Sequence, residues 1–369
     1  MKYYLIAGER SGDLHGGNLV KALKSFDNRA DFRGFGGDNM SQQGMVLYKH
    51  YRNLAFMGFW EVLLNVTKIS RYLKEVKKDI LLFRPDVVIL IDYGGFNLKV
   101  ASFLKREKIK CFYYITPKVW AWNQSRARRI KKLVDRMFVI LPFEKDFYSK
   151  YDWQVVYVGN PVLDAVQNHQ VKDMQIDNNS LPVVAILPGS RLQEIKGVLN
   201  TIEKVIENNG HLHFVIAKVE NLPMELYASV KTLKNVEVFE GETYNLLNKA
   251  SAAIVTSGTA TLETALFKVP QIVVYSTSKV SYWIGRMVIK VNYISLVNLI
   301  ANARVVQELI QSDFNPKDLS HELNRLVFEE DYRKNMIEKY NEIENLLDVG
   351  SASNNAAQLM FKYLTNSSS

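Results

Sequence analysis

The chain has one cysteine, Cys111, six histidines and no uninterrupted apolar stretch of the roughly 18 residues that a membrane-spanning helix needs. A lone thiol excludes an internal disulfide, and its position in the run Cys111-Phe-Tyr-Tyr-Ile115 reads as a packed core thiol in a reducing compartment. The histidines form no HxxxH or HxxEH pair and no cysteine cluster exists, so neither a metal nor another cofactor is expected. The absence of a GxSxG elbow removes the usual signature of a serine hydrolase. There is no internal repeat and no extended low-complexity tract. The opening Met1-Lys-Tyr-Tyr-Leu-Ile-Ala-Gly-Glu9 acquires charge too early for a signal peptide, so the expected location is cytoplasmic.

What is present fits a globular protein. A length of 369 residues suggests two domains, and 47% hydrophobic with 23% charged residues is enough to bury a core. Lysine and arginine number 47 against 38 aspartates and glutamates, a formal charge of +9. Such a balance favours anionic partners: nucleic acid, a phosphorylated substrate or a phospholipid surface.

Short β-rich runs alternate with helix-period stretches at Tyr3–Ala7, Val87–Ile91, Cys111–Ile115, Met137–Ile140 and Val155–Val158. After a polar stretch the rhythm restarts at Val183–Leu187, Leu212–Ala217, Val236–Phe239, Ala252–Val255 and Gln271–Tyr275. From about Asn302 onward the pattern is helical only. The expected fold class is α/β: two doubly wound Rossmann-like domains facing a cleft, with a helical C-terminal segment. The expected boundaries are an N-terminal domain at 1–166, a linker at 167–182, a C-terminal domain at 183–345, and a terminal helix with a polar tail at 346–369 that packs on the first domain or on a partner subunit.

In open parallel sheets ligands bind beyond the carboxyl ends of the strands, so the loops there carry the chemistry. The first, Ala7-Gly-Glu-Arg-Ser-Gly-Asp-Leu-His-Gly-Gly17, is neither GxGxxG nor a P-loop. Capping by Ser11 or Asp13 explains part of it, yet Glu9, Asp13 and His15 are more ionisable groups than a turn requires. The loop Asp92-Tyr-Gly-Gly-Phe-Asn97 places a carboxylate at the end of a nearly all-apolar strand, either as a general base or as an N-cap. Thr116-Pro-Lys-Val-Trp-Ala-Trp-Asn123, followed by Arg126, Arg128, Arg129, Lys131 and Lys132, reads as an aromatic-lined pocket beside a solvated basic helix, with single-stranded nucleic acid as the weaker reading.

In the second half, Leu187-Pro-Gly-Ser-Arg191 and Thr256-Ser-Gly-Thr-Ala-Thr-Leu-Glu263 both leave a strand and open a helix, where free backbone N–H groups attract phosphate. A glutamate contacting phosphate would be repelled, so Glu263 suits ribose hydroxyls instead. Residues 57–82 read as one long helix: Val62, Val66, Ile69, Leu73, Val76 and Ile80 share a sector, with Lys68, Arg71, Lys74 and Lys78 beside it. Trp60 projects on the basic side, an arrangement suited to a membrane interface alongside Lys68, Arg71 and Lys74.

These loops, in this order, resemble the lipid-A-disaccharide synthase family of inverting glycosyltransferases with the two-domain GT-B fold. The likeness covers nearly the whole chain and is carried by Ala7-Gly-Glu-Arg-Ser-Gly-Asp-Leu-His-Gly16, Gly36-Gly-Asp-Asn-Met40, Met57-Gly-Phe-Trp-Glu-Val62, Pro85-Asp86 with Ile91-Asp92, Val119-Trp-Ala-Trp122, Val158-Gly-Asn-Pro161, Leu187-Pro-Gly-Ser-Arg191 and Ser257-Gly-Thr-Ala-Thr-Leu-Glu263. Ser295-Leu-Val-Asn-Leu-Ile-Ala-Asn-Ala-Arg304 and Gln307-Glu-Leu309 look like the family's donor-side segment.

The resemblance implies transfer of a 2,3-diacylglucosamine unit from UDP to the 6-hydroxyl of 2,3-diacylglucosamine 1-phosphate, in a Gram-negative cell, by a protein resting on the anionic inner membrane. It implies no metal and no nucleic-acid partner, and the family includes homodimers that exchange C-terminal segments, an exchange that the helical end of this chain permits. Donor contacts are expected from Gly189, Ser190, Arg191, Ser257, Gly258, Thr259, Ala260, Thr261, Glu263, Asn298 and Arg304. Acceptor contacts are expected from Ser11, His15, Asn97, Trp120 and Trp122. The family commonly has an aspartate just before the Phe-Asn pair, where this chain has Gly95, so the base is assigned to Asp92, then Glu9, then Asp13. Competing readings are a UDP-N-acetylglucosamine 2-epimerase, which needs no acceptor, and a lipid-linked glucosaminyltransferase of the same fold.

Overall fold

The structure is a computed structural model that describes residues 1–369 apart from 54–65, 171, 173, 175, 177–179, 191, 220, 221, 279–281, 284–288 and 367–369, and apart from the side chains of 53, 66, 67 and 193. The chain forms two units. The first comprises Met1–Pro161 together with Asp348–Ser369, and the second Val162–Leu347.

Seven described strands build the sheet of the first unit: β1 (Lys2–Ala7), β2 (Asp31–Gly36), β3 (Val46–His50), β4 (Val87–Ile91), β5 (Cys111–Tyr114), β6 (Arg136–Val139) and β7 (Val156–Tyr157). They are all parallel, in the order β3-β2-β1-β4-β5-β6-β7. Every residue of β4, Val-Val-Ile-Leu-Ile, is buried, as expected where helices cover both faces of a parallel sheet. Each fully buried aliphatic side chain there contributes roughly 1.5–3 kcal/mol.

The helix Val66–Phe83 turns Leu73, Val76 and Ile80 inward and Lys68, Arg71, Lys74 and Lys78 outward, as its periodicity predicts. Asp79 lies on the same inward face. Burial of that carboxylate is offset by Arg33, which donates to both of its oxygens at 2.7–3.1 Å, and by the Tyr4 hydroxyl at 2.8 Å. Trp60 and the rest of 54–65 lie outside the described residues.

The second unit contains β8 (Val183–Leu187), β9 (His213–Ala217), β10 (Val236–Phe239), β11 (Ala252–Thr256), β12 (Gln271–Tyr275) and β13 (Gln307–Ile310), again all parallel, ordered β10-β9-β8-β11-β12-β13. The strand β13 corrects the expectation of helix alone beyond Asn302. Its four residues, Gln-Glu-Leu-Ile, occupy the sheet edge and carry too little hydrophobic pattern to announce a strand. The polar stretch read as a linker is not a free connection, because Met174 and Ile176 pack on the core beneath β8 and Lys172 donates its backbone N–H to Asn245.

After residue 347 the chain returns to the first unit. The helix Ala352–Thr365, capped by Ser351, lays Ala356, Ala357, Met360 and Leu364 into the core formed with Leu19, Val20 and Leu23. Asn355 donates to the carbonyl of Val158 at 3.1 Å. No helix among the described residues is long and apolar enough to cross a membrane.

Candidate functional site

Each sheet has one place where adjacent strands send their connections in opposite directions, the crevice where doubly wound folds bind ligands. In the first unit it lies between β1 and β4, in the second between β8 and β11. Pairing of Ala7 with Ile91 sets Gly8-Glu9 beside Asp92, and pairing of Leu187 with Val255 sets Pro188-Gly189 near Thr256-Ser257.

In the first crevice both Asp92 and Tyr93 adopt left-handed backbone, with φ of 44° and 50°. Non-glycine residues hold that conformation only when their surroundings enforce it. Here the Asp92 carbonyl accepts from the Tyr113 hydroxyl and from the Asn97 amide, each at 2.7 Å, while the Asp92 N–H donates to Ile115 at 2.9 Å. The Tyr93 ring lies over Gly8, where a β-carbon would fall 2.3 Å from the ring, so residue 8 has to be glycine.

The N-cap of the helix Gly94–Arg106 is Tyr93 rather than Asp92. Asp92 is therefore released from the structural role its position suggested. Burial, reinforced by the nearby negative charge of Glu9, pushes its pKa up to about 6, against an opposing pull from Lys118. Such a carboxyl is ionised at neutral pH and still basic enough to take a proton.

The other first-unit candidates divide. Glu9 is half-buried at the N-cap of the helix Arg10–Phe26, with no capping bond from its side chain. Ser11 is exposed and does not cap. His15 is held neutral by burial, its pKa lowered to about 4. Asp13, a candidate for proton transfer, is engaged in capping a different helix. Its buried carboxylate accepts from the backbone N–H groups of Gly37, Asn39 and Met40 and from the Asn39 amide, at 2.6–3.2 Å, satisfying the start of the helix Asp38–Gln42.

Asn97 is fully buried, and its amide N–H groups donate to the Ile91 and Asp92 carbonyls, so it shapes the loop, while its side-chain oxygen has no hydrogen-bond partner among the described residues. Trp120 is buried edge-on against Phe143. Trp122 is exposed, with the Arg126 guanidinium 4.7 Å from its ring centroid. The thiol of Cys111 is buried and its pKa pushed up, which makes it unreactive.

In the second crevice Gly189 has φ +100°, and a β-carbon there would meet the Glu194 carboxylate at 2.9 Å. Ser190 follows it, exposed. Arg191 lies outside the described residues. Gly258 precedes the helix Thr259–Leu266, on which Thr259 is exposed and Ala260 and Glu263 partly so. The flanking hydroxyls are engaged internally: Ser257 donates to the Ile294 carbonyl at 2.9 Å, and Thr261 donates to the Gly258 carbonyl and accepts from the Leu296 N–H. They fix the loop's shape.

Asn298, expected as a donor contact, is engaged within its own unit. Its amide donates to the Val306 carbonyl and to Glu308, and its oxygen accepts from the Val305 and Val306 N–H groups, all at 2.8–2.9 Å. All four of an asparagine's hydrogen-bonding positions are thus occupied. Glu308 gathers the same turn, accepting from Ile294, Ser295 and Asn298. Arg304 stands exposed beside it.

Sequence reading missed Tyr113 and Tyr244. Tyr113 looks like one more core residue of an apolar strand, and nothing local signals that its hydroxyl reaches Asp92. Tyr244 donates to Glu263 at 2.8 Å from a helix 19 residues earlier. Among the described residues no three His, Cys, Asp or Glu side chains are grouped to hold a metal ion.

A sequence model of the family described as "Lipid-A-disaccharide synthetase" matches residues 3–362. Lipid-A-disaccharide synthases from Syntrophus aciditrophicus and Myxococcus xanthus are 38% and 35% identical to the chain, covering 98% of it and 98% and 97% of their own lengths. The Coxiella burnetii enzyme is 34% identical over 96% of both chains. Among solved structures, the UDP-GlcNAc 2-epimerase of Neisseria meningitidis, bound to UDP-GlcNAc, superposes with a TM-score of 0.66 at 14% identity, covering 99% of this chain and 100% of its own. The kitacinnamycin glycotransferase gives 0.69 at 12% identity, covering 98% and 99%. At that identity both report the fold alone. Full-length matches at more than a third identity do more: the chain belongs to the lipid-A-disaccharide synthase family and is a glycosyltransferase of lipid A biosynthesis.

Proposed function

We propose that the chain condenses UDP-2,3-diacylglucosamine with 2,3-diacylglucosamine 1-phosphate, forming the β-1,6-linked disaccharide 1-phosphate and UDP with inversion at the anomeric carbon. The observation that carries the reading is Asp92: a carboxylate at the ligand crevice of the first sheet, free of the capping role, with a pKa of about 6 and its backbone locked by Tyr113 and Asn97. It takes the proton of the acceptor hydroxyl as that oxygen attacks the anomeric carbon opposite the departing UDP. Glu9 beside it raises Asp92's basicity.

In the second unit the Gly189 turn and the start of the helix Thr259–Leu266 offer backbone N–H groups to the diphosphate, and these stabilise the leaving group without a metal. Glu263 receives the ribose hydroxyls. Exposed Lys68, Arg71 and Lys74, together with exposed Trp122 stacked under Arg126, support contact with an anionic membrane surface, where both acylated substrates reside.

Purified protein is incubated in detergent micelles with the UDP-sugar, with and without the acceptor and without added metal, and products are resolved by chromatography and NMR. Acceptor-dependent β-linked disaccharide and stoichiometric UDP are expected. Retention of configuration overturns the direct displacement, and turnover of UDP-N-acetylglucosamine without an acceptor replaces the reading with an epimerase.

A further inference from the structure

We infer that Tyr244 is a positioning residue that orients Glu263 toward a ribose hydroxyl and so sets how strongly the second unit prefers a ribonucleotide over a deoxynucleotide. The inference rests on the reading of Glu263 as the ribose contact.

Glu263 is five residues into the helix Thr259–Leu266, one turn beyond exposed Thr259 and on the same side of that helix. Burial drives its carboxyl pKa upward, and a protonated carboxyl is a poor acceptor for a diol. The Tyr244 hydroxyl opposes this. It donates to Oε1 at 2.8 Å, favouring the carboxylate and fixing its plane. Among the described residues nothing donates to Oε2, which is left for a ligand hydroxyl.

Tyr244 is itself clamped. The Phe267 ring lies 5.0 Å from it and the His169 ring 5.1 Å away at 90°. His169 Nε2 is 3.1 Å from Asn245 Oδ1, the same oxygen that accepts the Lys172 N–H at 2.9 Å. An aromatic ring braced on two sides, with its hydroxyl aimed at one carboxylate oxygen, serves a direction as well as packing.

Equilibrium binding of UDP, 2′-deoxy-UDP and 3′-deoxy-UDP to the full chain tests this, using the parent, Tyr244→Phe, Glu263→Gln and the double variant. The parent should bind UDP about 10-fold or more tighter than one deoxy analogue, the scale of a hydrogen bond to a charged group. Tyr244→Phe should weaken UDP about 5-fold while leaving that analogue within about 2-fold, so that discrimination shrinks. In the Glu263→Gln background the further Tyr244→Phe change should add nothing. Equal weakening of all three nucleotides in Tyr244→Phe, unchanged UDP affinity, or additive effects in the double variant overturn the inference. Failure of the parent to discriminate, or to bind UDP, instead overturns the assignment of Glu263.

Discussion

The two ligand crevices occupy equivalent places in two similar sheets and are built in opposite ways. At the β1–β4 crevice the chain concentrates discomfort: consecutive left-handed residues, a carboxyl raised by burial, a second acid beside it and a histidine held neutral. At the β8–β11 crevice much of the polar side-chain capacity is spent within the unit. Ser257, Thr261 and Asn298 all find partners within the unit. The contrast separates two tasks. On the proposed mechanism, the group that changes its protonation is kept poised, whereas the surface that presents backbone N–H groups is held in shape by internal hydrogen bonds.

The sharpest way to break the contrast is Asp92→Asn. Turnover should fall by about 10²–10⁴-fold, and in the parent kcat/KM should fall as pH drops below about 6, because only the ionised carboxyl accepts a proton. The same poise has a stability signature. With a folded-state pKa raised from 3.8 to about 6, the carboxyl favours the fold relative to its ionised form at low pH, and that contribution is lost as pH rises through about 6. Asp92→Asn should therefore unfold at higher denaturant than the parent at pH 8, by on the order of 1–2 kcal/mol, with the difference closing near pH 4. A variant that is inactive and less stable at both pH values would mean that Asp92 is structural.

On the other side, Asn298→Ala should act on stability first, costing about 2–4 kcal/mol by thermal or denaturant unfolding because buried backbone groups lose their partners. If UDP affinity collapses while the melting temperature holds, Asn298 is a ligand contact and the second crevice is less rigid than described. The smallest effect belongs to Gly95→Ala. That residue is exposed in the first turn of its helix and an added β-carbon meets nothing within 4 Å, so stability should change by no more than about 0.5 kcal/mol and turnover should stay within twofold. A large loss there would move the proton-accepting group away from Asp92.

Strands dominated by apolar residues were legible. Val87–Ile91, Val183–Leu187, Val236–Phe239 and Gln271–Tyr275 fall where hydrophobic runs placed them. Asp31–Gly36, Val46–His50 and Gln307–Ile310 were not, since charge, glycine and mixed polarity at the flanks of a sheet dilute the pattern. Asp92 could be singled out because a carboxylate ending an apolar strand is conspicuous. What sequence could not separate was a polar residue that serves its own loop from one that serves a ligand. Asp13 and Asn298 both sit in motif loops with the right chemistry, and only the hydrogen bonds each makes outside its own motif reveal that its capacity is used. The crevices themselves follow from strand order, which no local pattern encodes.

The helix Ala352–Thr365 gives the first unit a peculiar timetable. Residues 1–161 leave the ribosome with part of their core uncovered, and the side chains that cover it, Ala356, Ala357, Met360 and Leu364, are translated only after the whole of 162–347. The second unit can complete itself during synthesis, while the first waits, exposing apolar surface around Leu19 and Leu23 to chaperones for the time needed to make roughly 190 more residues, tens of seconds at bacterial elongation rates. A premature stop near the end of the message therefore damages the beginning of the protein, and nascent chains are most vulnerable to aggregation in the interval before that last helix emerges.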